Sequence, residues 1–403
     1  MEAYLLDWAN LLLRWLHVIT AIAWIGSSFY FVFLDNNLLR PKSEDLLEKN
    51  VDGAMWAVHG GGFYNPQKYM VAPPKIHTKL HWFYWESYST WLSGFGLFTV
   101  LYLWNAGSFL IDKSLMDWSP VVAGTAAVGF LVAFWLVYDM VCRVFGFKKN
   151  GELIVAALMM VVIAFASWIA NELFAGRAAF LLVGAMIATA MSANVFFWII
   201  PGQRKVVAAM TSGEEYDTAV LSVHGKRGKQ RSVHNTYFTL PVIFAMLSNH
   251  YSFLYTHEHR WVLLFVMMFA GALIRQFFVQ RHGYHLGRAK NPWPFAAVGS
   301  VLILAVIVLL KPPPVLAPVA NAAPVAYAQV QQVLAQRCSM CHGEAAQMKG
   351  VRLDQPESVK THAQGIYQQV AVTRQMPLNN ATQITEEERA LIKRWYEAGG
   401  KVE

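Results

Sequence analysis

The segment Leu153-Ile-Val-Ala-Ala-Leu-Met-Met-Val-Val-Ile-Ala-Phe-Ala-Ser-Trp-Ile-Ala-Asn-Glu-Leu-Phe174 decides the fold class of this chain. Its only charged residue is Glu172, and apolar side chains occupy nearly every other position. As a helix rising about 1.5 Å per residue, a run of this length crosses the roughly 30 Å hydrocarbon core of a bilayer. Because backbone groups in lipid must be paired within their own segment, we predict a transmembrane helix rather than a strand.

Seven further apolar runs of similar length lie along the chain. They cover residues 9–34, 82–104, 121–141, 178–200, 236–255, 261–278 and 293–310. Of all 403 residues, 56% are hydrophobic and 14% are charged, whereas soluble proteins carry about 25% charged residues. This composition excludes a fully soluble enzyme. It predicts an all-α fold in which an eight-helix transmembrane bundle sits in the lipid bilayer.

The basic residues predict how the bundle is oriented. Most Lys and Arg residues fall in the first, third, fifth and seventh connections between the apolar runs, and few fall in the others. By the positive-inside rule these connections are cytoplasmic, so both chain ends are periplasmic in a bacterial inner membrane. The N-terminus carries Glu2 and Asp7 instead of a basic stretch, so the first helix is predicted to be retained. The net charge of +8 thus reflects topology, and nucleic acid is not an expected partner.

The composition changes abruptly after Leu310. Residues 312–325 are rich in Pro and Ala, which predicts a semi-rigid linker. Residues 326–403 carry many charges of both signs and predict a small soluble domain. The chain is therefore divided into a transmembrane domain at 1–311, the linker, and a C-terminal domain whose small core needs covalent or metal support.

The sequence Cys338-Ser-Met-Cys341-His342 indicates what that support is. Two thiols at this spacing can each bond a haem vinyl group, while the adjacent imidazole reaches the iron, which is the signature of c-type haem attachment. The alternative is a zinc site, but the chain has no second pair of cysteines to complete one. We therefore predict one covalent haem c, held by Cys338 and Cys341, with His342 as an axial ligand.

A second axial ligand is expected on the other face of this haem. Met376, followed by Pro377, lies at a suitable distance along the chain, whereas Met340 and Met348 lie too close to the attachment site. A thioether ligand raises the reduction potential, so the domain is predicted to be a class I-like cytochrome c that accepts electrons.

Two histidines lie at comparable depths in the predicted bundle. His17 is inside the first apolar run and His250 is near the end of the sixth. Ionisable residues within membrane segments are usually functional, and imidazoles from two helices can hold a haem b in a bundle. His17 and His250 are the candidate haem b ligands; the alternative is that each histidine makes an interhelical hydrogen bond.

A second set of polar residues is predicted near the cytoplasmic side. His81, Trp82 and Glu86 lie at the start of the second run, and Glu86 shares a helix face with Trp82. His234 and Asn235 lie at the start of the sixth run and Arg275 in the seventh. The structural alternative for the two buried charges is a mutual ion pair between Glu86 and Arg275.

Several motifs together resemble the PuuD-type membrane urate hydroxylases. They are Trp15-Leu16-His17, His59-Gly-Gly-Gly-Phe-Tyr64, His81-Trp-Phe-Tyr-Trp-Glu86, His234-Asn-Thr-Tyr-Phe-Thr-Leu-Pro241, Ser248-Asn-His-Tyr251 and the C-terminal Cys-x-x-Cys-His. The resemblance covers essentially the whole chain. It implies oxidation of urate to 5-hydroxyisourate, with electrons leaving through haem c toward a soluble cytochrome c or a terminal oxidase.

Physical chemistry suggests roles for the second set in such a reaction. Urate is a planar anion, so Arg275, Asn235 and Trp82 are candidate substrate-binding residues. His81, Glu86 and His234 are the candidate catalytic residues, since hydroxylation by water needs a base. About 30 Å of hydrocarbon separates this set from a periplasmic haem, which favours an intermediate haem b. The alternative function is a non-catalytic cytochrome that carries electrons from quinol or a partner subunit to soluble cytochrome c.

Overall fold

Helices dominate the structure. The computed structural model describes residues 1–69, 76, 79–212, 217–311 and 325–402, and 73% of the structure is helical, in agreement with the all-α prediction. The predicted linker lies almost wholly outside the described residues, because residues 312–324 are not among them.

Each of the eight predicted apolar runs overlaps a helix. The helices are α1 Glu2–Asn37, α3 Trp85–Phe98, α5 Pro120–Phe145, α6 Gly151–Leu173, α7 Gly176–Ala193, α9 Thr218–Leu247, α11 Arg260–His285 and α12 Trp293–Leu309. Among the described residues, five helical stretches are long and apolar enough to cross a membrane: Tyr4–Asn37, Pro120–Phe145, Gly151–Leu173, Gly176–Thr211 and Arg260–His285. These five are compatible with a multi-pass membrane protein.

The remaining three helices fall short for visible reasons. Helix α3 carries polar residues in its first turns, among them Glu86, Ser87 and Thr90, which lower its mean hydropathy even with the π-helical turn that continues it over Thr99–Leu103. Helix α9 carries a basic stretch in its first half, with Lys226, Arg227 and Lys229. Helix α12 is apolar but short, at 17 residues. Eight crossings therefore stay a prediction.

Short elements connect the long helices. They are α2 Glu44–Glu48, α4 Ala106–Phe109, α8 Ile200–Thr211 and α10 Ser252–Tyr255, with a π-helical turn at Asn194–Ile199 and a 3-10 turn at Ser248–His250. Side chains define two of the long-helix starts: Ser119 Oγ accepts from Val122 N, and Asp217 Oδ1 accepts from Ala219 N at 2.7 Å. Such N-caps satisfy backbone donors that the first turn leaves free.

The connection between α1 and α3 contains strands that the sequence analysis did not predict. Strand β1 (Gly53–Ala54) pairs antiparallel with β4 (Gln67–Lys68), and β2 (Ala57–His59) pairs with β3 (Gly62–Tyr64). Gly60 and Gly61 form the tight turn between β2 and β3 with φ of 59° and 81°, a region that favours glycine. The triple glycine thus builds a hairpin.

Helix α7 is the central helix of the bundle. It buries residues on several sides, including Leu182, Val183 and Ile187, and it contacts α3, α5, α6 and α9. At Gly184 a Cβ atom would lie 2.7 Å from the Ala245 Cβ, so α7 and α9 cross closely there. Small residues at a crossing allow two helix backbones to pack tightly in a membrane.

The C-terminal domain has its own core. Its helices are α13 Tyr327–Arg337, α14 Pro356–Ile366 and α15 Glu386–Glu397, and Val330, Leu334, Ile392 and Trp395 are among the buried side chains. Thr385 and Glu388 form a capping box at the start of α15. The 3-10 turn Leu378–Asn380, close in sequence to Met376, contacts α4 of the membrane domain.

Candidate functional site

The order of the helices defines two ends of the bundle. Helix α12 leads into the C-terminal segment at Leu310, and we call this the tail end. Helices α3, α6 and α9 also end there, whereas α5, α7 and α11 begin there. Hydrogen bonds join the connections at this end: Ala175 N donates to Leu110 O, and Arg260 Nη2 donates to Asn171 O.

At the tail end, the structure brings His17 and His250 together. Both line one cavity of about 260 Å³, which we call the His17 cavity, although they are far apart in sequence. Its other polar lining residues include Arg14, Arg177 and Asn249. The two histidines therefore share a cavity, and the haem b that they were predicted to hold stays a prediction.

His17 is held rigidly by helix α3. Its Nδ1 lies 3.0 Å from Thr90 O and 3.2 Å from Ser93 Oγ. Because a carbonyl only accepts, Nδ1 carries the proton in the neutral ring, and Nε2 is left as an acceptor. A Cβ at Gly94 would lie 2.8 Å from the His17 Cε1, so glycine makes room for the ring. The interhelical hydrogen bond considered for His17 therefore exists, but it uses only one nitrogen.

Arg177 and Asn249 form the other side of the cavity. Arg177 Nε donates to Asn249 Oδ1 at 3.1 Å, and the Tyr102 hydroxyl donates to the same oxygen at 3.0 Å. Sequence reasoning missed Arg177 and Asn249, because no short-range spacing links them. Arg14 could have been identified from the sequence, because it lies three residues before His17 on the same helix face.

At the opposite end, His234 and Asn235 belong to a buried polar network. The Tyr138 hydroxyl donates to His234 Nδ1 at 2.9 Å, and His234 Nε2 donates to Glu152 Oε2 at 2.9 Å. Asn194 Nδ2 contacts both the Tyr138 hydroxyl (3.0 Å) and Asn235 Oδ1 (2.9 Å). The hydrogen bonds therefore run from a buried tyrosine to a largely exposed carboxylate. Asn194 and Glu152 were missed, although polar residues within or beside apolar runs are a usable signal.

The other predicted residues at the opposite end do not join this network. His81 is exposed and packs edge-on against Phe83, and the Arg204 guanidinium lies 5.9 Å from the Trp82 ring centre. Within the described residues, Glu86 and Arg275 form no ion pair.

Arg275 is instead buried against an aromatic ring. It is 6% exposed, and its guanidinium carbon lies 3.8 Å from the Phe29 ring centre. Its Nε and Nη2 atoms have no hydrogen-bond partner among the described residues. None of His81, Trp82, Glu86 and Arg275 lines the His17 cavity.

The Cys-x-x-Cys-His segment follows directly on α13. Cys338, Cys341 and Cys142 are free thiols. His342 N donates to Cys338 O at 2.9 Å, and His342 Nδ1 lies 3.3 Å from Val351 O. A carbonyl on Nδ1 orients an imidazole and leaves Nε2 free for a metal, so His342 fits the predicted axial role.

The segment around Met376 is also fixed from within the domain. The buried Arg389 donates through Nη1 to Val370 O at 2.6 Å and to Met376 O at 2.9 Å. Asn380 Oδ1 is buried without a partner among the described residues. Arg389 thus fixes the backbone at Met376, which fits a methionine side chain held in place as a metal ligand.

The two thiols of this segment are expected to react at different rates in protein made without haem. Burial raises the pKa of the Cys338 thiol to about 11, whereas Cys341 is partly exposed. Since the thiolate is the nucleophile, iodoacetamide near neutral pH should label Cys341 first, and Cys338 should react as the pH approaches its pKa. Peptide mass spectrometry measures both rates, with urea-unfolded chain as the control; equal rates in folded protein would contradict the burial of Cys338.

Comparison with known proteins covers the membrane domain. No curated protein and no solved structure matches the chain. A family model described as urate oxidase N-terminal matches residues 3–311, which include the His17 cavity and the His234 network. This match covers well over half of the chain, so the chain belongs to the urate oxidase N-terminal family.

Proposed function

We propose that this protein is a membrane-bound urate hydroxylase. It oxidises urate to 5-hydroxyisourate in its membrane domain and passes the electrons to a haem c in its C-terminal domain. One observation carries the proposal: the same chain joins a urate oxidase N-terminal domain at 3–311 to a Cys-x-x-Cys-His segment at its other end. The bundle crosses a bacterial inner membrane eight times, with the C-terminal domain in the periplasm.

The residues of the C-terminal domain fit the binding of haem c. Cys338 and Cys341 would form the two thioether bonds, and His342 and Met376 would bind the iron. Haem c, when bound, supplies a one-electron acceptor that a soluble cytochrome c or a terminal oxidase reoxidises. Arg389 keeps the Met376 segment in place through its two backbone hydrogen bonds.

The proposed function is tested by adding urate to purified, oxidised protein under anaerobic conditions. We expect the haem c absorption to change to that of the reduced form without any partner protein. A Cys338→Ala/Cys341→Ala variant should consume no urate with cytochrome c as acceptor, while Met340→Leu, a change at an exposed side chain in the same segment, should behave like the wild type. Reduction by a quinol but not by urate would replace this proposal with the non-catalytic electron carrier.

The sequence-based assignments within the membrane domain are tested separately. If His81, Glu86 and His234 are catalytic, His81→Ala and Glu86→Gln should lower urate turnover while haem c stays attached. If His17 and His250 hold a haem b, a pyridine haemochrome spectrum of purified protein should show a non-covalent haem in addition to haem c. Full turnover in both variants would discard His81 and Glu86.

A further inference from the structure

We propose that the His17 cavity is the site at which the purine binds and reacts. This inference rests on the proposed function and adds to it the place where urate is held. It assigns substrate binding to Arg14, Arg177 and Asn249 and general-base chemistry to His17. These residues lie at the tail end, away from the set that sequence reasoning favoured.

The charge of the cavity suits an anion. Arg14 and Arg177 line it, and no Asp or Glu is among its lining residues. Arg177 is also the second residue of the 18-residue helix α7, whose N-terminus adds partial positive charge to this side of the cavity. Guanidinium groups bind planar anions through charge-assisted hydrogen bonds, which are stronger than neutral ones.

The size and the walls of the cavity suit a flat ligand of two fused rings. A cavity of about 150 Å³ is large enough for benzene, so about 260 Å³ accommodates a purine. Trp91 and Phe95 line it as a stacked pair, with ring centres 5.2 Å apart and planes at 11°. Aromatic faces of this kind favour a planar ring system.

Hydrogen-bonding groups of both kinds face this space. His17 Nε2 is an acceptor, because Nδ1 is engaged by Thr90 O. Thr189 Oγ1 accepts from Trp91 Nε1 at 3.1 Å, which leaves its hydroxyl proton available to donate. A site that reads ring N–H and C=O groups needs both acceptors and donors, and the cavity offers both.

The same groups account for the chemistry. Urate and water give 5-hydroxyisourate, two protons and two electrons: a C–O bond forms at C5, while one O–H bond of water and one N–H bond of the purine ring break. His17 Nε2 takes the proton of the attacking water, and the ring proton leaves to solvent past His250, which is exposed and lines the cavity. The two electrons would be accepted one at a time by the proposed haem c, which a soluble cytochrome c or a terminal oxidase would reoxidise between the two transfers.

The position of the cavity shortens the path of these electrons. The His17 cavity begins at the tail end, at Arg177 and His250, and reaches Thr189, about 18 Å further along α7 at 1.5 Å per residue. The turn Leu378–Asn380 contacts α4 at that end. Within α4, the Phe109 ring lies 6.2 Å from the ring of Tyr102, which lines the cavity. A purine at the His234 network would instead be separated from the C-terminal domain by most of the roughly 30 Å hydrocarbon core.

The test is urate binding to full-length protein that has been reduced with dithionite, because a reduced haem c accepts no electrons and turnover is absent. Quenching of tryptophan fluorescence or equilibrium dialysis measures the affinity. We expect Arg177→Gln and His17→Gln each to weaken binding at least tenfold, as loss of a charge-assisted or buried hydrogen bond does. Arg177→Lys, which keeps the charge, should retain part of the affinity.

Two arginines at the opposite end provide the comparison. Arg275→Gln tests the predicted site there, and Arg281→Gln is a matched control at an exposed arginine. Arg281→Gln should bind urate within twofold of the wild type, and Arg275→Gln should lose less affinity than Arg177→Gln. If Arg275→Gln abolishes binding and Arg177→Gln does not, the purine lies at the opposite end and this inference is wrong.

Other outcomes separate this inference from the proposed function. A non-covalent haem that is present in the wild type and lost in His17→Gln would assign the cavity to haem b and overturn the inference. Urate-dependent reduction of haem c that no His17-cavity variant alters would overturn the inference and leave the proposed function intact. Loss of affinity is interpreted only in variants that retain the wild-type haem c content and elute in gel filtration as the wild type does. If Arg177→Gln fails either criterion, Thr189→Val takes its place as the test variant.

Discussion

Replacing Arg231 with alanine is expected to destabilise the membrane domain by about 3 kcal/mol, the low end of the range for breaking a buried pair, because the buried Asp139 carboxylate then keeps only the largely exposed Arg143 as a counter-charge. Arg231 Nη2 lies 2.7 Å from Asp139 Oδ1, and the two side chains are 3% and 9% exposed. Trp198 Nε1 also donates to Asp139 Oδ1 at 2.7 Å, but a neutral donor cannot replace the lost charge. Thermal unfolding in detergent, followed by circular dichroism, measures the loss.

Arg143 provides a matched control on the same carboxylate. Arg143 Nε lies 2.9 Å from Asp139 Oδ2, but its side chain is 62% exposed. Exposed ion pairs contribute roughly 0.2–1 kcal/mol, so Arg143→Ala should cost less than about 1 kcal/mol. Equal losses in the two variants would show that burial does not control the strength of this pair.

The second large effect is expected at Met376. Met376→His exchanges a thioether for an imidazole and should lower the reduction potential of haem c by on the order of 100 mV, within the roughly 0.8 V that axial ligands span. The urate-dependent reduction of haem c should slow accordingly. A redox titration monitored by absorption measures the potential.

The other methionines near the attachment site are the controls for Met376. Met340 and Met348 are 67% and 59% exposed, so Met340→Leu and Met348→Leu should leave the potential unchanged. A fall in potential in either variant, with Met376→His unaffected, would identify a different axial ligand. The hydrogen bonds from Arg389 to Val370 O and Met376 O hold the Met376 segment in place, which supports Met376 as the ligand.

Hydropathy predicted where the helices lie because burial in lipid leaves few alternatives to a helix. Hydropathy did not predict where the helices depart from regular α-helical geometry, because the π-helical turns at Thr99–Leu103 and Asn194–Ile199 have the same apolar composition as their neighbours. The strands at 53–68 were missed because they are two or three residues long and depend on pairing across a turn.

The candidate site was predictable only in part, because contacts between residues far apart in sequence depend on how the helices pack. His17 and His250 stood out because each is a histidine in an apolar run, and the fold placed both on one cavity. Arg177 gave no comparable signal, and its partnership with Asn249 arises from the way α7 and the end of α9 meet. Motifs whose residues are close in sequence can be recognised without knowing how the helices pack. Examples are Cys338 to His342 and the capping box at Thr385.

The contact between the turn Leu378–Asn380 and α4 has a kinetic consequence. If urate reacts in the membrane domain and haem c is bound in the C-terminal domain of the same chain, as proposed, the first electron transfer is intramolecular, and dilution should leave its rate constant unchanged. Only the reoxidation of that haem by a diffusing oxidant should depend on concentration and ionic strength.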